Sequence, residues 1–186
     1  MYTIMGVTGQ IGSVIGRTLL AAEQPIRAVV RDAGKAQVWA DRGCEIALAN
    51  IEDTVSLTTA FRGTEGVFVL VPPNFDPTPE FHEARAIAAA LRTALEAARP
   101  ARVVYLSTIG AQASQSNLLT QHTIIEATLS ELPMPITFLR PAWFMENSSW
   151  DIAPARGQGV IPSFLQPLDK FRVIRTLVGV PFGHNH

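Results

Sequence analysis

Along this chain, short unbroken apolar runs alternate with longer stretches whose apolar residues recur at helical spacing. The short runs are Tyr2–Met5, Ile26–Val30, Glu45–Ala49, Gly66–Val71, Arg102–Ser107 and Ile136–Leu139, all of strand length. The stretches between them predict helices over about Ile11–Ala22, Lys35–Arg42, Val55–Arg62, Thr78–Ala98 and Asn117–Leu132. The fourth is the clearest. Thr78 offers a cap, Pro79 suits a first turn and Glu80 complements the positive end of the helix dipole. Phe81, Ala84, Ile87, Ala88, Leu91, Ala94, Leu95 and Ala98 then form one apolar face, and Pro100 ends it.

Several strand runs are apolar on both sides, as expected where helices cover both faces of a parallel sheet. Regular alternation of strand and helix implies right-handed crossovers. The expected fold class is therefore α/β, with a doubly wound, mostly parallel sheet. At 186 residues there is room for one such core and not for two ordinary domains.

Composition narrows the function classes. A net charge of −1 leaves no footprint for nucleic acid or an anionic membrane surface. Cys44 is the single cysteine, which rules out an internal disulfide and a cysteine-rich metal site and suits a reducing cytoplasm. The first residues lack the basic segment and long apolar core of a secretory leader, and no stretch has the length of a membrane span. A cytoplasmic protein is expected.

In a doubly wound sheet, ligands sit beyond the carboxyl ends of the strands. The first such loop is Gly6-Val7-Thr8-Gly9-Gln10-Ile11-Gly12. A tight strand-to-helix turn needs a residue without Cβ, and close approach of a pyrophosphate to backbone N–H groups needs another. Placed between a strand and a helix, the loop reads as a dinucleotide cradle; the plainer alternative is a βα turn with incidental glycines. After the second strand comes Arg31, with Asp32 beside it and Lys35 close behind. An arginine there suits the 2′-phosphate of NADP(H), so NADP(H) is preferred over NAD(H). The alternative pairs Arg31 with Asp32 or solvent and leaves Asp32 to hold a ribose.

Asn50 and Ile51 follow the third strand, where a polar group meets an adenine edge, although Asp53 also reads as a simple helix cap. Val71 and Pro72 end the fourth strand, and Ser107 and Thr108 the fifth, all expected beside the cofactor's ribose and nicotinamide.

With GVTGQIG, VVRD, the double proline, LSTIGAQ and FLRPAWFMEN in order, the chain resembles the NmrA-like family of atypical short-chain dehydrogenase/reductase proteins from Met1 to about Leu168. The resemblance implies a Rossmann domain binding NAD(P)(H), in a family divided between reductases and regulators that bind nucleotide without turnover. It places Gly6, Thr8, Gly9, Gln10, Ile11 and Gly12 on the phosphate loop and Arg31 at the NADPH-favouring position. It also brings Pro141, Trp143 and Phe144 near the nicotinamide. Phe75, Trp143, Phe144, Met145 and Trp150 are expected as apolar substrate walls.

Two departures matter. The wider superfamily uses a tyrosine and, four residues later, a lysine on one helix face; here those positions hold Leu118 and His122, and Tyr2 and Tyr105 belong to strands. His122 is a candidate general acid facing the crevice, with Thr108 as a further catalytic candidate. The alternative is a satisfied, partly buried histidine in the stripe Leu118, His122, Ile125, Leu129. Hydride transfer to an electron-poor quinone escapes the tyrosine requirement, because it needs mainly positioning.

The second departure is the tail from Lys170, KFRVIRTLVGVPFGHNH, which no longer follows the family. A truncated or altered tail, a frameshift product and a segment docking on a partner subunit are the alternatives. His184 and His186 lack a carboxylate or cysteine companion, so no metal site is expected.

The expected organisation is an NAD(P)-binding domain over 1–150 and a divergent segment over 151–186, with little or no separate substrate domain. The expected activity is NADPH-dependent reduction of a quinone or similar small apolar acceptor. A dinucleotide-sensing regulator without turnover, or a remnant with an incomplete site, are the competing readings. The partner is accordingly a small-molecule substrate or a regulatory protein, and a homodimer is compatible with either.

Overall fold

The computed structural model describes residues 1–161 and the short strand at 173–174. Six parallel strands form the central sheet: β1 (Tyr2–Met5), β2 (Ile26–Val30), β3 (Glu45–Leu48), β4 (Gly66–Leu70), β5 (Arg102–Leu106) and β6 (Ile136–Leu139). Their order is β3-β2-β1-β4-β5-β6, the doubly wound arrangement in which the strand order reverses between β1 and β4. The register sets Ile4 beside both Ala28 and Phe68, and Tyr105 beside both Val69 and Phe138. The expected fold class is the one observed, and every pairing in this sheet is parallel.

Helices α1 (Gln10–Ala21), α2 (Gln37–Ala40), α3 (Thr54–Phe61), α4 (His82–Ala98), α5 (Thr120–Ser130) and α6 (Ile152–Gln158) complete the described regular structure, together with three short 3-10 turns. Two apolar layers result. Leu19 of α1 and Trp39 of α2 pack with Ile4, Ala28, Phe68 and Leu106 on one sheet face. On the other, Leu57 and Phe61 of α3, Leu91 and Leu95 of α4 and Ile125 and Leu129 of α5 pack with Val67, Val69, Val103 and Tyr105. Alternate residues of β4 and β5 thus feed opposite layers, which is why those strands read as continuous apolar runs. Each fully buried leucine or phenylalanine contributes about 1.5–3 kcal/mol relative to exposure.

Helix α4 starts later than its sequence predicts. Thr78 is extended, as a residue before proline tends to be, and Pro79–Phe81 form a 3-10 turn rather than the first helical turn. Glu80 and Phe81 then take left-handed backbone angles, with φ of +64° and +57°, and re-aim the chain into a helix beginning at His82. Thr78 caps nothing. Its hydroxyl donates to Glu83 Oε2 at 2.7 Å, so Glu83 rather than Glu80 is the acid in the first turn. The fifth helix is likewise shorter, and Leu118 lies in the turn before it. The predicted helix after β2 divides into a 3-10 turn (Ala33–Lys35) and the single-turn α2.

Past β6, the two-residue strand β7 (Trp143–Phe144) pairs in parallel with β8 (Val173–Ile174). A 3-10 segment (Met145–Asp151) leads from β7 into α6. None of these elements has a periodicity that announces it in the sequence.

Candidate functional site

The carboxyl ends of β1, β2, β4, β5 and β6 bring the sequence-predicted residues to one edge of the sheet. At β1 the chain turns through Gly6, whose φ of +70° lies in the left-handed region that favours glycine. The Gly9 N–H returns to the Gly6 carbonyl at 2.9 Å and closes the turn. Gly12 is needed for a different reason: a Cβ there would lie 2.2 Å from the Gly6 oxygen and 2.8 Å from the Val7 nitrogen. The first turn of α1 is thereby pressed against the loop. Gly9 stands at the N-cap with no side chain to cap the helix, and no acidic residue occupies the first turn. The early N–H groups of α1 thus have no side-chain acceptor and could hold a negative charge. Thr8, Gly9 and Gln10 are exposed around them and Ile11 is half-buried.

The end of β2 separates the two charges that the sequence left ambiguous. Asp32 caps the following 3-10 turn, its Oδ1 accepting the Gly34 N–H at 2.8 Å. Arg31 is exposed beside it and forms no ion pair with Asp32. After β3, Asp53 caps α3 by accepting the Val55 N–H at 3.0 Å, and hydrogen bonds from Ser56 and Val55 hold its carboxyl below the usual range. Asn50 is exposed, while Ile51 packs partly into the core.

Beyond β4, the Val71 side chain is buried and Pro72 is exposed. The loop is tied to α5 by Gln121, whose amide accepts the Asn74 N–H at 3.1 Å and donates to the Asn74 carbonyl at 3.2 Å. Beyond β5, parallel pairing continues through Ser107 N–H to Leu139 O at 2.8 Å and Ile109 N–H to Pro141 O at 2.9 Å. Thr108 is half-buried, with its hydroxyl on the Ile109 carbonyl at 3.2 Å.

Two side-chain groups lie between α5 and the strand ends. Tyr105 Oη and His122 Nδ1 are 2.7 Å apart, and both residues are buried. Burial pushes the Tyr105 phenol up and the His122 imidazole down; the nearby Glu126 charge reinforces the first shift and opposes the second. His122 is thus placed inside, against the sheet, as the satisfied member of its stripe rather than on an open crevice wall. Glu126 is also buried, and accepts the Ser107 hydroxyl and both Nε and Nη2 of Arg140, the Nε contact at 2.9 Å. Burial raises its carboxyl, but the Arg140 and Ser107 hydrogen bonds outweigh that and hold it below the usual range. The Ser107 hydroxyl donates inward to this carboxylate.

Aromatic residues from separate segments meet beyond these ends. Phe75 lies edge-on to Trp150 at 6.4 Å between ring centroids, and Trp150 edge-on to Trp143 at 6.3 Å. Phe75, Met145 and Trp150 are exposed, while Trp143, Phe144 and Pro141 are half-buried.

Sequence reasoning missed Glu126 and Arg140. Glu126 lies four residues after His122 on the same helix face, and a carboxylate inside an apolar stripe is a signal that it has a partner. Among the described residues no cluster of three His, Cys, Asp or Glu could hold a metal ion, and no helix is long and apolar enough to cross a membrane. His184, His186 and nearly all of the tail from Lys170 lie outside the described residues.

Comparison with known proteins agrees with this layout. The NAD(P)H azoreductase of Xenophilus azovorans is 33% identical over 175 residues, covering 93% of this chain and 57% of the relative. Quinone oxidoreductase 2 of Escherichia coli K12 is 29% identical over 152 residues, covering 79% of this chain and 50% of that protein. The crystal structure of Citrobacter sp. triphenylmethane reductase complexed with NADP(H) superposes with a TM-score of 0.72 at 27% identity, covering 85% of this chain and 54% of that one. The chain therefore spans about half the length of the relatives it matches. These are the atypical short-chain dehydrogenase/reductase neighbours that the NmrA-like motifs imply. A family profile described as NAD(P)H-binding matches residues 6–161, a span that takes in the glycine turn, strands β2 to β6 and the loops at their carboxyl ends, and the chain belongs to that family.

Proposed function

We propose that this chain carries the dinucleotide site of an NADPH-dependent reductase acting on quinones or similarly flat, electron-poor acceptors. The observation that carries the cofactor assignment is Gly12, where a Cβ would strike the Gly6 carbonyl at 2.2 Å. That close approach sets the loop backbone against a helix N-terminus with no side-chain cap, an arrangement that fits a pyrophosphate. Thr8, Gly9, Gln10, Ile11 and Gly12 are assigned to the phosphates. Arg31, left without the Asp32 carboxylate, is assigned to a 2′-phosphate, which favours NADP(H) over NAD(H). Asn50 and Ile51 lie on the adenine side, and the backbone of Val71, Pro72, Ser107 and Pro141, with Phe144, on the nicotinamide side.

A bound dihydronicotinamide supplies a hydride. The chain's part is to orient the ring over the β4–β6 ends and to present the acceptor between Phe75, Trp143, Met145 and Trp150. Flat aromatic acceptors fit edge-to-face and stacked contacts with such rings. A quinone becomes a hydroquinone anion on receiving hydride and takes its proton from water, directly or by relay through the Thr108 hydroxyl, which regains the proton it passes on, so no dedicated tyrosine is required. His122, enclosed with Tyr105 in the core, is assigned no part in the transfer. The names of the relatives, an azoreductase, a quinone oxidoreductase and a triphenylmethane reductase, favour turnover over cofactor sensing. The dinucleotide unit is assigned to residues 1–150. A cytoplasmic location accords with the single buried cysteine, Cys44.

Steady-state NADPH oxidation by the full chain, with a panel of quinones and azo dyes, tests the assignment. Reduction of at least one acceptor class is expected. Cofactor binding without oxidation across the panel would favour the sensing protein, and a homodimer or regulatory partner would then be the object to seek.

A further inference from the structure

Glu126 is absorbed by neither the cofactor assignment nor the acceptor wall, yet it is a buried carboxylate at the centre of three chain segments. Its own helix, α5, holds it under the sheet. Ser107, the first residue past β5, donates to its Oε1, and Arg140, the first residue past β6, grips both oxygens through a two-point guanidinium contact. A bidentate pair constrains orientation as well as distance. Beyond these two residues run Thr108–Gly110 and Pro141–Phe144, held together by the Ile109 N–H to Pro141 carbonyl bond at 2.9 Å. Ser107, Pro141 and Phe144 at these exits are assigned above to the nicotinamide side.

We propose that Glu126 is a positioning residue: by clamping Ser107 and Arg140 it fixes the spacing of the β5 and β6 exits, and so shapes the pocket for the nicotinamide half of the cofactor without touching it. The proposal rests on the dinucleotide assignment made above.

The geometry argues for this role over simple core stability. A buried carboxylate is costly unless every lone pair is used, and replacing such an ion pair by apolar residues of similar volume is often neutral or stabilising. A charge clamp retained here contributes shape rather than net stability. The neighbours restrict the alternatives. His122, one turn earlier on α5, is engaged by Tyr105, so the clamp's bonds come from Ser107 and Arg140. Arg140 is 41% exposed on its outer side, which places this end of the clamp at the surface edge.

The experiment compares two probes that share the adenosine half: NADP⁺, and adenosine 2′,5′-bisphosphate, which lacks the nicotinamide. Titration calorimetry on the full chain gives the ratio of their dissociation constants, which isolates the nicotinamide half's contribution and requires no turnover. In Glu126→Gln and Arg140→Lys the ratio is expected to shrink by about tenfold, while the bisphosphate binds within about threefold of the wild type. Circular dichroism and thermal unfolding identify a variant that fails to fold. Ser107→Ala, which removes one hydrogen bond and little volume, then serves as the second variant, with a smaller shrinkage expected. An unchanged ratio in folded variants overturns the clamp while leaving the dinucleotide site standing. A wild-type chain that binds neither probe overturns the dinucleotide assignment, and the clamp with it.

Discussion

Tyr105 Oη lies 2.7 Å from His122 Nδ1, and this pair sits on the face of β5 covered by α3, α4 and α5, one residue in from the strand's carboxyl end. Each partner satisfies the other's buried polar atom, so the histidine's placement is a matter of core architecture before it is one of chemistry. Because burial holds the His122 imidazole below its ordinary value near 6.5, the folded state binds the proton less readily than the unfolded chain. The stabilising effect is fully present above that value and is lost as pH falls through the depressed folded value. Thermal unfolding followed from neutral to mildly acidic pH is expected to show the wild type losing stability with falling pH. His122→Gln should be less stable at neutral pH and have a flatter profile. An acid-side slope that is identical in the two proteins would contradict the assignment.

Gly12→Ala tests the cradle. Alanine is the better helix former by about 0.8–1.0 kcal/mol, but forcing a methyl group against backbone typically costs about 1–3 kcal/mol. With the Gly6 oxygen 2.2 Å from the new Cβ, the second effect wins. Lower stability and a loss of NADPH affinity of about tenfold or more are expected by denaturant titration and calorimetry. Gly157→Ala in α6 is the comparison, because a Cβ there meets nothing within 4 Å; it should leave cofactor affinity unchanged.

Arg31→Ala addresses the cofactor's 2′-phosphate. Charge-assisted hydrogen bonds contribute about 1.5–3 kcal/mol, so NADPH affinity should fall on the order of tenfold to a hundredfold while NADH affinity stays within about twofold. The two dissociation constants, measured side by side, decide it. Equal loss for both cofactors would move Arg31 away from the phosphate.

Trp150→Ala probes the acceptor wall. The indole is 60% exposed and makes edge contacts with Phe75 and Trp143, so its removal should alter stability little. The KM for a quinone should rise about five- to tenfold, with NADPH affinity unchanged. A selective loss of NADPH affinity would instead place Trp150 on the cofactor.

Much of this layout is legible in the residues, because it rests on local rules. The apolar runs mark all six strands of the main sheet, and the glycine spacing marks the turn after β1, since strand period and φ-permissive turns are properties of neighbours in sequence. The start of α4 misleads for an equally local reason. Thr78-Pro79-Glu80 is a good helix opening by composition, but the chain spends Glu80 and Phe81 in left-handed geometry to change direction, and Glu83 takes the Thr78 hydroxyl. The clamp is illegible because it is non-local: Ser107 and Arg140 reach Glu126 from two different strand exits, and only the closed sheet sets those exits side by side. β7 and β8 are missed likewise, since two-residue strands carry no period.

The most direct test of the central claim is a tryptophan fluorescence titration of the full chain with NADPH and, separately, NADH. Trp143 and Trp150 both lie at the proposed nicotinamide end, so bound reduced cofactor should quench or transfer their emission. Saturable change with one site per chain, and about tenfold or greater preference for NADPH, is the result predicted here. No saturable change with either cofactor, or tighter binding of NADH, would contradict the account.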